Sequence, residues 1–93
     1  MQEGAQGSSI PRLRRGVRLR FDAARSQPIL QAPERVVVLD EIANEIVSLC
    51  DGTQDITEIS RILATKFNEP PAQVEADVIG FVDELVAKAL MRT

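Results

Sequence analysis

The apolar positions of the chain change period once, and the change divides it into a strand region and a helix region. Over "GVRLRFD" they alternate, with Val17, Leu19 and Phe21 on one face and Arg18 and Arg20 on the other. That two-residue period is the mark of a half-buried strand. The polar "AARSQP" turns the chain, and "PILQAP" is a short stretch bounded by prolines, with Pro28 suited to the start of a strand. Ala32, Pro33 and Glu34 turn it again, Pro33 fixing its own φ. In "RVVVLD" the β-branched Val36, Val37 and Val38 favour a third strand. After Asp40, a suitable helix cap, Ile42, Ala43, Ile46, Val47 and Cys50 recur at helical spacing, and Gly52 can take the left-handed conformation that ends the helix. Asp55 and Glu58 stand three apart as in a capping box, ahead of the stripe Ile59, Ile62, Leu63 and Phe67. "NEPP" breaks this second helix, and Pro71 is accepted in the first turn of a third. That helix carries Val74, Val78, Phe81, Val82 and Leu85 on one side, runs to about Ala89, and leaves Leu90 and Met91 as an extended stub.

The predicted fold class is therefore α+β: a three-stranded antiparallel sheet followed by three helices, winged helix-turn-helix-like with the sheet placed first. Residues 1–10 read as a flexible N-terminal arm and 11–93 as one domain. The four consecutive apolar residues Val36 to Leu39 pose the main question, because a strand with one wet face alternates. Either this strand is central and buried on both faces, or it is an edge beside an apolar wall. The third strand of a meander is an edge, and between Arg35 and Asp40 this one has neither the charge nor the proline that blunts natural edges. Such an edge accepts an extended peptide, with the third helix as the opposite wall. Periodicity alone leaves both readings open.

Composition narrows the function classes. A chain of 93 residues with 44% hydrophobic content makes one small domain with a thin core. No apolar run reaches the length of a membrane span, and "MQEGAQGSSIP" lacks the apolar region of a secretory signal. The single cysteine, Cys50, excludes an intrachain disulfide and fits a reducing cytoplasm; on an apolar helical stripe it reads as a small hydrophobe. There is no histidine, the commonest general base and metal ligand, and one cysteine holds no zinc or iron–sulfur site. The five glycines match no phosphate-binding loop, and no serine has a histidine to activate it. A non-enzyme with no cofactor and no metal is the expectation.

Charge separates along the chain. Residues 1–35 hold seven arginines against three acids, a net +4, and residues 36–93 hold four cations against eleven acids, a net −7. DNA binding suits the helix-turn-helix analogy, but a reading helix has to approach phosphates. The third helix instead carries Glu75, Asp77, Asp83 and Glu84 against Lys88. No nucleic-acid and no membrane partner is expected, and winged-helix DNA binding stands as an alternative. Another is a homodimeric structural module formed through the same strand edge.

Several stretches in order carry a resemblance: "PRLRRGVRLRFD", "ILQAPERVVVLDEIANEIVSLCDG", "ITEISRILATKF" and "DVIGFVDELVAKALM". Together they resemble the PqqD family, coenzyme PQQ synthesis protein D, over about residues 10–92. The specific part is the series: an arginine-rich strand ending in Phe-Asp, a Pro-Glu-Arg turn, Leu-Asp, then Cys-Asp-Gly. One departure is Ala89, where the family tends to have glycine. The resemblance implies a stand-alone recognition element for a ribosomally made peptide. It would be a non-catalytic chaperone in pyrroloquinoline quinone biosynthesis that binds the precursor peptide PqqA and presents it to the radical SAM enzyme PqqE. It also selects the edge-strand reading. The implied peptide-binding set is the backbone of Val36, Val37, Val38 and Leu39, Arg35 toward an acidic side chain, and Phe81 and Leu85 as apolar wall, with an ordinary core role the alternative for both and the favoured one for Leu85. Asp77 and Glu84 either meet basic leader residues or form a solvated face. Arg14, Arg15, Arg18 and Arg20 either dock the enzyme partner or form the wet side of the sheet.

Overall fold

Alternation and turn chemistry build the sheet that the pattern predicts. A computed structural model describes residues 4–93, and its first strands are β1 (Arg12–Leu13), β2 (Arg18–Asp22), β3 (Gln27–Ala32) and β4 (Arg35–Val38). β2, β3 and β4 form one antiparallel sheet in that spatial order. The predicted third strand is thus β4, and it lies at an edge. Pro33 and Glu34 make the two-residue turn that sets Ala32 opposite Arg35. At the other hairpin the Asp22 carboxylate accepts from the Ala24 and Arg25 amides at 3.0 and 3.3 Å, an Asx-type turn. Phe21 departs from expectation: it shares a face with half-buried Leu19 but is 67% exposed. It sits at the loop end of β2 opposite Pro28, away from the main core.

The helices start where the sequence places their caps. Asp40 accepts from the Ala43 amide at 2.7 Å and opens α1 (Glu41–Leu49); Asp55 accepts from the Glu58 amide at 2.8 Å and opens α2 (Ile56–Phe67). α3 (Pro71–Ala87) begins on proline. α1 ends sooner than Gly52 suggested, with the Cys50 amide donating to Val47 O at 3.0 Å. Gly52 does take φ 83°, but its amide donates to Pro11 O at 3.1 Å and serves the following loop. Asp51 likewise closes a local turn, accepting from the Thr53 amide and hydroxyl.

The core lies between the sheet and the helices, around Leu30, Leu39, Ile46, Ile59, Val78 and Val82. The predicted C-terminal stub is β5 (Met91–Arg92). Two placements were not legible beforehand. β5 pairs antiparallel with β1, Leu13 opposite Met91. The segment read as a free arm is laid against α2 and α3 from residue 4 onward. The first amides of a helix have no partner inside it; those of Ile56 and Thr57 donate to Ser9 O and Gly7 O, both at 2.9 Å. The Ala5 amide in turn donates to the Asp83 carboxylate at 2.7 Å. Residues 1–3 of the predicted arm lie outside the described residues.

Candidate functional site

Among the described residues, β4 has β3 on one side and no strand on the other. Which of its peptide groups face outward follows from one bond. The Leu39 amide donates to Pro28 O at 2.9 Å. Antiparallel pairs alternate between bonded and non-bonded, so in this register Leu30 and Val37 are a bonded pair, as are Ala32 and Arg35. The pairs Gln31–Val36 and Ile29–Val38 are the non-bonded ones. The N–H and C=O groups turned to the open edge therefore belong to Val36 and Val38. Two predicted contributors are corrected by this geometry: the Val37 peptide groups face β3, and the Leu39 amide is spent on Pro28.

Side chains divide the same way. Val36 and Val38, each 46% exposed, stand on the outer face of the sheet with Arg18, Arg20 and Gln31. Val37 points inward and packs half-buried at the margin of the core. Leu39 is buried within it.

Two cavities bring the ends of α3 toward the segments that flank β4. At the start of β4, Arg35 shares a cleft of about 600 Å³ with Ala89 and Leu90, just past the end of α3. Beyond the end of β4, Ile42 shares a groove of about 410 Å³ with Asp77 and Val78 in the first half of α3. Between them, Asp77, Phe81, Glu84 and Lys88 follow one another on one face of α3 and its cap, at the spacing of helical neighbours. Asp77 and Glu84 are exposed, and Glu84 accepts from Lys88 Nζ at 3.0 Å, a surface pair that a guest can displace. Phe81 is half-buried against the core. Leu85 is 2% exposed and takes the core role, its favoured alternative, and not a place in the wall.

Sequence reasoning missed the groove at the far end. Ile42, 53% exposed, and Phe67 line it with Glu69 and Gln73. Their helical stripes name them as apolar but do not reveal that they sit past the edge of the core. The four arginines grouped beforehand separate in space: Arg18 and Arg20 lie on the outer sheet face, whereas Arg14 and Arg15 line the cleft with Arg35. Among the described residues no group of three or more His, Cys, Asp or Glu is placed to hold a metal, and no helix is long and apolar enough to cross a membrane.

Comparison with known proteins gives relatives in sequence and in fold. Residues 28–91 match the family model described as coenzyme PQQ synthesis protein D (PqqD). A "PqqA binding protein" of Xanthomonas euvesicatoria is 48% identical over 89 residues, covering 96% of this chain and 97% of that one. The "Bifunctional coenzyme PQQ synthesis protein C/D" of Methylorubrum extorquens is 41% identical over 85 residues, 91% of this chain and 23% of the longer fusion. Among solved structures, the NMR structure of the PqqD truncation of Methylobacterium extorquens PqqCD superposes with a TM-score of 0.85 at 39% identity. It covers 97% of this chain and 96% of that one, and it is described as a stand-alone recognition element for ribosomally synthesized and post-translationally modified peptides. The crystal structure of PqqD from Xanthomonas campestris gives 0.61 at 44% identity, covering 95% and 98%.

Proposed function

The chain belongs to the PqqD family, and from that premise we propose that it binds the precursor peptide PqqA as an added strand on β4. It acts without catalysing a reaction, as a cytoplasmic chaperone that presents the peptide to the radical SAM enzyme PqqE. Relatives named for PqqA binding and a neighbour described as a peptide recognition element support the binding role in PQQ synthesis. The observation that carries the mode of binding is the outward ladder at Val36 and Val38 on the open edge of β4.

An extended guest would exchange main-chain hydrogen bonds with Val36 and Val38. Its inward side chains would continue the core layer between Val37 and Phe81, where apolar burial adds to the ladder. Its ends would reach the cleft at Arg35 and the groove at Ile42. The chain's part is to hold the peptide extended and oriented, so the chemistry on the precursor falls to the enzyme that receives it.

The test is an NMR titration of isotope-labelled protein with PqqA peptide. Saturable shifts at the Val36 and Val38 amides and along the Asp77–Glu84 face of α3 are expected. Shifts confined to residues 4–10, or none, would refute the proposal. Sedimentation run alongside separates it from the homodimeric alternative, in which a self-paired β4 edge stays unchanged as peptide is added.

A further inference from the structure

The cleft at the start of β4 carries charge that strand addition leaves unused. Arg14 and Arg15 come from the turn between β1 and β2, and Arg35 from the first position of β4. The backbone behind the first two is fixed at both ends: the Arg14 amide donates to Leu90 O at 3.1 Å, and the Val17 amide donates to Arg14 O at 3.0 Å across Gly16 at φ 86°. Glycine suits that position because of its positive φ. None of the three guanidiniums has an ion pair or hydrogen bond among the described residues, whereas Arg20, Arg25 and Arg61 are each engaged. Among the described residues Glu34 is the one acid in the lining, so three positive charges face one negative. At the other end of the same path the lining holds Asp77 and Glu69. The route along β4 thus runs from positive to negative.

Resting on the reading that β4 receives PqqA, we propose that this cleft is a carboxylate subsite. It takes an Asp or Glu side chain of the guest where the guest leaves the ladder, and so fixes strand register and direction. A main-chain ladder alone is blind to register, since a slip by two residues restores every bond and by one turns each side chain to the other face. A charged anchor at one end removes that freedom. Guanidiniums suit the task because their planar fork matches a carboxylate through paired hydrogen bonds. Like charges gathered in one cleft also repel until an anion joins them.

The experiment is calorimetric titration of PqqA peptide, and of versions in which each Asp or Glu is singly changed to Asn or Gln. The proteins are wild type, Arg35→Gln, the double variant Arg14→Gln/Arg15→Gln, and Glu34→Gln. Folding of each is verified by its NMR spectrum. The arginine variants should bind about three- to tenfold more weakly, with a flatter salt dependence. One amide-substituted peptide should lose the same factor against wild type and lose nothing further against Arg35→Gln. Glu34→Gln should bind more tightly. Equal affinity of wild type and arginine variants, with the Val36 and Val38 amides still shifting, overturns the subsite and leaves strand addition standing. Weaker binding by Glu34→Gln as well would mark a structural effect of the turn and count against the subsite. No shift at Val36 and Val38 in the wild type overturns both readings.

Discussion

Ala89 occupies a backbone conformation that favours glycine. α3 closes with the Leu90 amide donating to Leu85 O at 2.9 Å and the Ala89 amide to Val86 O at 3.0 Å, a Schellman closure with Ala89 in its left-handed position at φ 59°. That conformation costs an L-residue roughly 1–2 kcal/mol, while glycine loses about 0.5–1 kcal/mol more chain entropy on folding. Ala89→Gly should therefore stabilise the domain by about 0.5–1 kcal/mol, read as a rise of a few degrees in Tm. A lower Tm would show that the closure is not under strain. The sequence flagged this residue through its departure from the family's glycine; only the backbone shows what the departure costs. Cys50 is as buried as its stripe implied, 3% exposed, with Sγ donating to Ile46 O at 3.2 Å. Burial first, and the adjacent Asp51 second, push its thiol from 9.0 up to about 12. The folded state thus favours the neutral thiol. Its contribution to stability is complete below pH 9.0 and is lost as pH rises toward about 12. Urea unfolding across that range should show wild type losing more stability than Cys50→Ala. Iodoacetamide should label the wild type only as fast as the domain opens; labelling at the rate of a free thiol would contradict the burial.

At the scale of the element, β4 answers the question raised by its unbroken apolar run. It is neither a central strand nor a plain one-sided edge: Val37 and Leu39 feed the core, while Val36 and Val38 face outward on the far side of the sheet. Periodicity left the central and edge readings open and the family resemblance selected the edge, where the structure puts β4. Which peptide groups are free was not legible, because that depends on register, and register is set by the Pro33–Glu34 turn and the Leu39–Pro28 bond. Proline substitutions separate the two sets. Val36→Pro removes an outward donor and should leave the fold intact, as proline is tolerated on sheet edges. A guest carbonyl then loses its partner, at a cost of about 1–3 kcal/mol, or roughly tenfold or more in affinity. Val37→Pro removes a donor from the ladder to Leu30 and should cost the fold itself a few kcal/mol, much of the margin of so small a domain. Circular dichroism melts with peptide calorimetry distinguish the outcomes. A Val37→Pro protein as stable as wild type, or a Val36→Pro protein with unchanged affinity, would show that the alternation assigned here is wrong.

Across the whole molecule, the order of strands and helices was legible because each element carries its own period and cap. The contacts that close the molecule were not. β1 and β5 are two-residue strands from opposite ends of the chain, too short to show a period, and residues 7 and 9 contribute only carbonyls to α2. Bonds made by backbone alone leave no mark in residue type. Charge, by contrast, carried over directly from sequence to surface, and it weighs against the DNA-binding alternative. All three cations on the helices and their caps are already in ion pairs: Arg61 with Glu58, Lys66 with Glu45 and Lys88 with Glu84. The exposed side of α3 adds Asp77, and the remaining arginines lie on the strands and the segments joining them. A duplex brought against α2 or α3 meets net negative charge, so no counterion release drives docking there. Arginines on a strand face give at most a diffuse attraction, lost within a Debye length at physiological salt. Fluorescence anisotropy with a labelled generic duplex should therefore show no binding at physiological salt, and only a salt-sensitive rise below it. That low-salt signal should fall with Arg14→Gln/Arg15→Gln and be indifferent to Lys66→Gln. Binding that persists at physiological salt, with NMR shifts on α2 or α3, would place the helices rather than the β4 edge at the working surface.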